Sequence, residues 1–134
     1  MKRMIPAILT ILLLLAGCGA TGGEPTGEEA AEITYQQITQ EEAKNMMDTQ
    51  AVIVLDVREQ HEFDAGHIPG AILLPVGSIA EEAATAVIPE KDSVVLVYCR
   101  SGNRSKTASA SLVDLGYTGI YEFGGITTWP YEVE

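Results

Sequence analysis

Two stretches of this chain are apolar almost without interruption: Val52-Ile53-Val54-Leu55, continuing through Asp56 to Val57, and Val94-Val95-Leu96-Val97-Tyr98. A strand with one face in water alternates apolar and polar side chains, whereas a strand covered on both faces has no reason to alternate. Continuous β-branched runs of this kind suit parallel strands sandwiched between helices. Ala71-Ile72-Leu73-Leu74 and Ile120-Tyr121-Glu122-Phe123 read as shorter strands. Between the strands lie helical signals. Thr39-Gln40-Glu41-Glu42 fits a capping box, with Thr39 as N-cap and Glu42 three positions on. A helix is therefore expected from about Gln40 to Asp48, burying Ala43, Met46 and Met47 at helical spacing. Further helices are expected near 78–87 and 105–115; in the second, Ala108, Leu112 and Leu115 line one face and Gly116 stands at the C-cap. Strands alternating with helices predict an α/β domain of three layers, a mainly parallel central sheet flanked by helices on both faces.

In such sheets ligands bind beyond the carboxyl ends of the strands. Cys99 occupies that place, directly after the strongest strand and directly before a helix. The segment joining them is Cys99-Arg100-Ser101-Gly102-Asn103-Arg104-Ser105. Gly102 permits a tight turn with positive φ, and Asn103 tolerates left-handed geometry. A loop curling at a helix start turns backbone N–H groups inward and forms a nest for an anion. A thiol there should titrate below its free value of about 8.5, because N–H groups, the helix end and arginines favour the thiolate, which is the nucleophile. Arg100 and Arg104 are expected to supply a local positive field.

That field matters because the chain is acidic, with 8 basic against 19 acidic residues and a formal net charge of −11. Such a surface repels nucleic acid and anionic headgroups, so a nucleic-acid partner is excluded and an anionic substrate needs a local positive site. The two cysteines, Cys18 and Cys99, and two histidines, His61 and His67, form no Cys-x-x-Cys pair and no cluster with zinc-ligand spacing. No metal site and no cofactor are expected.

The first residues follow a different logic. Met1-Lys2-Arg3 is a short positive start, Ile5 to Leu15 is apolar but for Pro6 and Thr10, and Ala16, Gly17, Cys18, Gly19 and Ala20 are small. This is the layout of a secretory signal peptide, too short to span a bilayer as a standard helix. Leu15-Ala16-Gly17-Cys18 resembles the lipobox of bacterial lipoproteins. The resemblance implies a signal peptide over 1–17, cleavage before Cys18, and lipid on its thiol, anchoring the chain to a membrane outside the cytoplasm. Residues 18–32, rich in Gly, Thr, Glu and Pro, read as a flexible acidic tether, leaving 33–134 as the folded domain.

Within that domain three spaced motifs resemble the rhodanese-like sulfurtransferases. CRSGNRS, from Cys99 to Ser105, is similar to the active-site loop of the single-domain members. Asp56-Val57-Arg58-Glu59 with Glu62-Phe63, then Gly66-His67-Ile68-Pro69-Gly70-Ala71, resemble a second signature. Gly124-Gly125-Ile126 followed by Trp129 resembles the closing one. Leu74-Pro75-Val76 departs from the Asn-Ile-Pro-like segment common in the family, which bears on packing near the site. The resemblance implies a rhodanese-like fold and a persulfide mechanism. Cys99 would take sulfur from a small donor, thiosulfate or a persulfide, and pass it to a thiol, to cyanide or to a protein acceptor. It also implies that Arg100, Ser101, Gly102, Asn103, Arg104 and Ser105 cradle the persulfide, that Arg104 or Arg100 steers the donor, and that Asp56 and Arg58 support the site.

Other residues have plainer readings. Arg58 is expected to pair with neighbouring carboxylates, His67 to serve a turn and its packing, His61 to face solvent, and Trp129 to sit in the core. Two further functions share the pattern. A persulfide carrier or docking module at a membrane surface would use the same loop without turnover. Cysteine phosphatases and arsenate reductases of similar fold use Cys-x5-Arg around a tetrahedral oxyanion, but Cys99 to Arg104 is Cys-x4-Arg, a tighter ring that suits one sulfur atom. With Cys18 acylated, no second thiol is left for dithiol chemistry.

Overall fold

A computed structural model describes residues 34–134. The expected signal peptide, the Cys18 expected to carry lipid and the expected tether through residue 32 lie outside the described residues. Strand and helix alternate along the whole domain: β1 (Gln36–Gln37), α1 (Gln40–Thr49), β2 (Ile53–Asp56), α2 (Gln60–Ala65), β3 (Ile72–Leu73), α3 (Glu81–Val87), β4 (Val95–Cys99), α4 (Asn103–Asp114) and β5 (Ile120–Gly125). Short 3-10 turns occupy Val76–Ser78 and Ile126–Thr128. The five strands form one parallel sheet in the order β1-β5-β4-β2-β3. The three-layer α/β expectation therefore holds.

Burial explains the unbroken apolar runs. β4 is buried at every position, and β2 from Val54 onward. On one face Leu55, Val57, Val95, Val97 and Cys99 pack against Ala84 and Ile88, at and just beyond the end of α3, and against Ala108 and Leu112 of α4. On the other, Val54, Leu96, Tyr98 and Phe123 pack against Ala43 of α1 and Ile68. Burying such side chains contributes roughly 1.5–3 kcal/mol each. The α1 capping box forms as expected: Glu42 N donates to Thr39 Oγ1 at 3.0 Å and Thr39 N to Glu42 Oε1 at 2.9 Å.

Several expectations shift. The helix near 78–87 begins only at Glu81, because 76–78 winds as a 3-10 turn. The helix near 105–115 begins two residues early, so Asn103 and Arg104 belong to its first turn. Leu115 is its C-cap and Gly116, with φ +102°, follows it. Trp129 is half-buried rather than core, leaning on Phe123 with centroids 5.5 Å apart. β1 and α2 carry too few apolar residues to announce themselves; α2 buries none.

Chain direction sets the site. β4 connects through α4 to β5 on one side, whereas β2 connects through α2 to β3 on the other. The connections diverge between β2 and β4, and a crevice opens there at the carboxyl ends. The last residue of β4 is Cys99, and the last of β2 is Asp56.

Candidate active site

Cys99 is buried, 1% exposed, and its side chain points to the α4 face of the sheet. A register shift between Val97 and Cys99 brings Cys99 opposite Gly125 of β5. Arg100 to Gly102 then turn the chain into α4. Gly102, at φ +112°, is the N-cap, a conformation that strains any residue with a Cβ. Its N–H donates to Cys99 Sγ at 3.0 Å. The first turn of α4 returns Ser105 to the sulfur, with Oγ 3.5 Å from Sγ.

Two opposing effects act on the thiol. Burial pushes its pKa up, but the Ser105 hydroxyl and the N–H groups of Ser105, Gly102 and Ser101 outweigh that, and Cys99 titrates below its ordinary value. Hydrogen bonds of the Ser105 side chain and the loop N–H groups thus do the work that was expected to be shared with arginines.

The arginines have diverged in role. Arg104 is held by Glu62 of α2 in a two-bond fork, Nη1 to Oε2 at 2.8 Å and Nη2 to Oε1 at 2.9 Å. This pairing holds Glu62 down at about 2, against the cost of its own desolvation, with the Glu59 N–H assisting. Arg104 therefore fastens α2 to α4 and presents little uncompensated charge. Lys44, Arg58 and Lys91 are likewise paired with carboxylates. Among the described residues only Arg100 and Lys106 are cations without an ion pair, and both are exposed beside the loop.

Arg58 does pair as expected. Its Nε and Nη2 meet Asp56 Oδ1 and Oδ2 at 2.9 and 2.7 Å, and Nη2 also donates to the Gly66 carbonyl at 2.7 Å. Tyr98 Oη donates to Asp56 Oδ2 at 2.6 Å and accepts from Ile68 N at 3.1 Å. This buried cluster ties the end of β2, the segment after α2 and the residue before Cys99 together. His67 stacks on Phe63, centroids 3.8 Å apart, in a packing role. Of the loop residues, Ser101 and Asn103 are exposed, while Gly102 and Ser105 are buried.

Sequence reading missed Glu122. It is 2% exposed, and its carboxylate accepts from Ser105 Oγ, from Gly124 N at 3.0 Å and from Gln37 Nε2 at 3.1 Å. The available signal was an acidic residue inside an otherwise apolar strand.

The fold and this loop define a class. The chain matches the family model of the Rhodanese-like domain over residues 39–131, and it belongs to that family. It is 39% identical over 72 residues to Thiosulfate sulfurtransferase PspE of Escherichia coli strain K12, covering 54% of this chain and 68% of that one. It is 32% identical over 96 residues to Thiosulfate sulfurtransferase GlpE of Coxiella burnetii, covering 71% of this chain and 87% of that one. The fold is similar to the Rhodanese-like domain of the Alr3790 protein from Anabaena sp., with a TM-score of 0.67, 24% identity, and coverage of 75% of this chain and 80% of that one. The protein is a rhodanese-type sulfurtransferase.

Proposed function

We propose that this enzyme moves sulfane sulfur from a donor such as thiosulfate through a persulfide on Cys99 to a thiophilic acceptor. The observation that carries the reading is the hydrogen bond from Gly102 N to Cys99 Sγ at 3.0 Å, joined by the Ser101 and Ser105 N–H groups in lowering the thiol's pKa. In the first half-reaction the Cys99 thiolate attacks the outer sulfur of thiosulfate. A new S–S bond forms, and the old one breaks with its electron pair leaving on sulfite. The persulfide then carries one negative charge on its terminal sulfur, which the N–H groups of the loop would stabilise as they do the thiolate. In the second half-reaction an acceptor such as cyanide or a thiolate attacks that sulfur, and the pair returns to Cys99. Charge balances in both steps, and no redox cofactor is needed.

Roles for the other residues follow from position. Ser101, Gly102, Asn103 and Ser105 shape the cradle, Arg100 draws in the anionic donor, and Arg104 fixes the loop through Glu62. Asp56 and Arg58 hold the floor of the crevice. The commitment of Arg104 to Glu62 also disfavours a phosphatase, which needs a free guanidinium over the oxyanion.

The proposal extends to location. The residues Leu15-Ala16-Gly17-Cys18 support lipidation of Cys18 and an enzyme working outside the cytoplasm, anchored to a bacterial membrane.

The test is a thiosulfate:cyanide assay of the protein beside Cys99→Ser, with intact mass measured after thiosulfate alone. One added sulfur on the parent, and turnover abolished in the variant, is expected. An adduct without turnover would favour a carrier awaiting its own acceptor, and neither adduct nor turnover would remove Cys99 as the nucleophile.

A further inference from the structure

A buried carboxylate without a cation is costly, and Glu122 is one. It stands beside the reactive thiol, linked to it by a single hydroxyl. Ser105 Oγ lies 3.5 Å from Cys99 Sγ, 3.0 Å from the Gly102 carbonyl, and in hydrogen-bond contact with Glu122 Oε2. A serine hydroxyl has one proton to give and lone pairs to receive with. With the Gly124 carbonyl at 3.4 Å, four acceptors therefore compete for one donor, and the carboxylate makes the closest contact.

We propose that Glu122 is a positioning residue for sulfur transfer: it competes with Cys99 for the Ser105 hydroxyl proton and so weakens the support that this hydroxyl gives the thiolate. The thiolate then leans more on main-chain N–H groups and less on the hydroxyl, and the nearby carboxylate charge opposes it. Glu122 thus counterweights the nest. The benefit is chemical, because thiolate nucleophilicity falls as the thiol becomes more acidic, and the best attacking thiol ionises near ambient pH.

The surroundings favour this assignment over a structural ion pair. β1 offers Glu122 only the Gln37 amide, and α1 sends Gln40 to the Gly125 carbonyl at 2.8 Å. From α4, Lys106 lines a cavity of about 330 Å³ together with Glu122 but does not pair with it. Arg104 is engaged by Glu62 of α2, and on the β2 side Asp56 and Arg58 neutralise each other. No other charged group of the packed elements is bonded to Ser105 or Glu122.

The inference rests on Cys99 being the nucleophile, but its test does not require sulfur transfer. The rate of Cys99 alkylation by iodoacetamide is followed against pH for the full chain with Cys18→Ser, and for Glu122→Gln, Ser105→Ala and the double variant on that background. Glu122→Gln is expected to move the midpoint down by about one pH unit, since it removes the opposing charge and releases the hydroxyl. Ser105→Ala is expected to raise the midpoint only slightly when Glu122 is present, and clearly more when residue 122 is glutamine. A merely structural role would change melting temperature and leave these midpoints together. An unchanged or raised midpoint in folded Glu122→Gln overturns the proposal. Should that variant not fold, a rise of a unit or more in Ser105→Ala alone overturns it, because the hydroxyl would then be giving the sulfur its full support despite Glu122.

Discussion

Gly125 lies directly against the carbonyl of Arg100, the residue after Cys99. A Cβ at Gly125 would collide with the carbon and oxygen of that carbonyl and come within 2.6 Å of Ser101 N. The same oxygen accepts from Thr127 N at 3.1 Å and Thr127 Oγ1 at 3.0 Å. The end of β5 and the turn after it are thus the bed on which the loop after Cys99 rests.

Gly125→Ala should therefore act on the loop before it acts on the fold. The loop must lift by more than an ångström, which withdraws Gly102 N from Cys99 Sγ. Sulfur transfer is expected to fall about a hundredfold, with a stability loss of about 1–3 kcal/mol from overpacking. Comparing kcat/KM with urea unfolding separates the two. Activity retained in a folded variant would show that the loop does not depend on this contact.

Asp56 is fully buried and receives both the Arg58 guanidinium and the Tyr98 hydroxyl. Asp56→Ala leaves a buried cation and a buried hydroxyl without their acceptor, and should cost about 3–5 kcal/mol. Asp56→Asn keeps the volume and part of the bonding, so it should cost less. Thermal melting of the two variants measures this, and equal, small losses would contradict the central place of Asp56.

Acid should loosen the junction of α2 and α4. The folded pKa of Glu62 is about 2 against an ordinary 4.5, chiefly because of Arg104. A depressed carboxylate pKa stabilises the fold above the unfolded value and loses that contribution as pH falls through the folded one. The stabilisation is therefore complete above about pH 4.5 and drains away toward pH 2. Both side chains are partly exposed, so screening reduces it to about 1 kcal/mol. Urea unfolding at several pH values should show Glu62→Gln less stable at neutral pH and converging on the parent in acid.

The sheet was legible in the sequence because burial on both faces leaves unbroken apolar runs at 52–57 and 94–98. Cys99 was legible because its place after such a run, followed by Gly102, is a local signal. β1 and α2 were not legible, since both lie at the surface and owe their form to neighbours: Gln36 and Gln37 become a strand only by pairing with Tyr121 and Glu122. The partnership of Arg104 with Glu62 spans 42 residues and has no local mark. Glu122 was hidden for the same reason, its partners Gln37 and Ser105 lying far along the chain on separate elements.

That long-range pairing decides which cation can recruit an anion. Arg104 and Arg100 look equivalent in CRSGNRS, but the structure neutralises the first and leaves the second exposed without an acidic partner among the described residues. On a protein of net charge −11, unpaired cations beside the loop, Arg100 nearest to Cys99 along the chain, would offset repulsion of a donor such as thiosulfate. Arg100→Ala should therefore raise the KM for thiosulfate by roughly three- to tenfold at low ionic strength and leave kcat close to the parent's. Added salt screens the attraction in the parent and has little left to screen in the variant, so the two KM values should converge as ionic strength rises. Lys106→Ala, at the same edge, should give a smaller shift of the same sign. Arg104→Lys should behave differently: it forfeits the two-bond fork to Glu62, and its defect should appear in kcat and persist at high salt. Steady-state kinetics of the three variants at two salt concentrations separate steering from scaffolding, and a salt-dependent KM effect confined to Arg104→Lys would reverse the assignment.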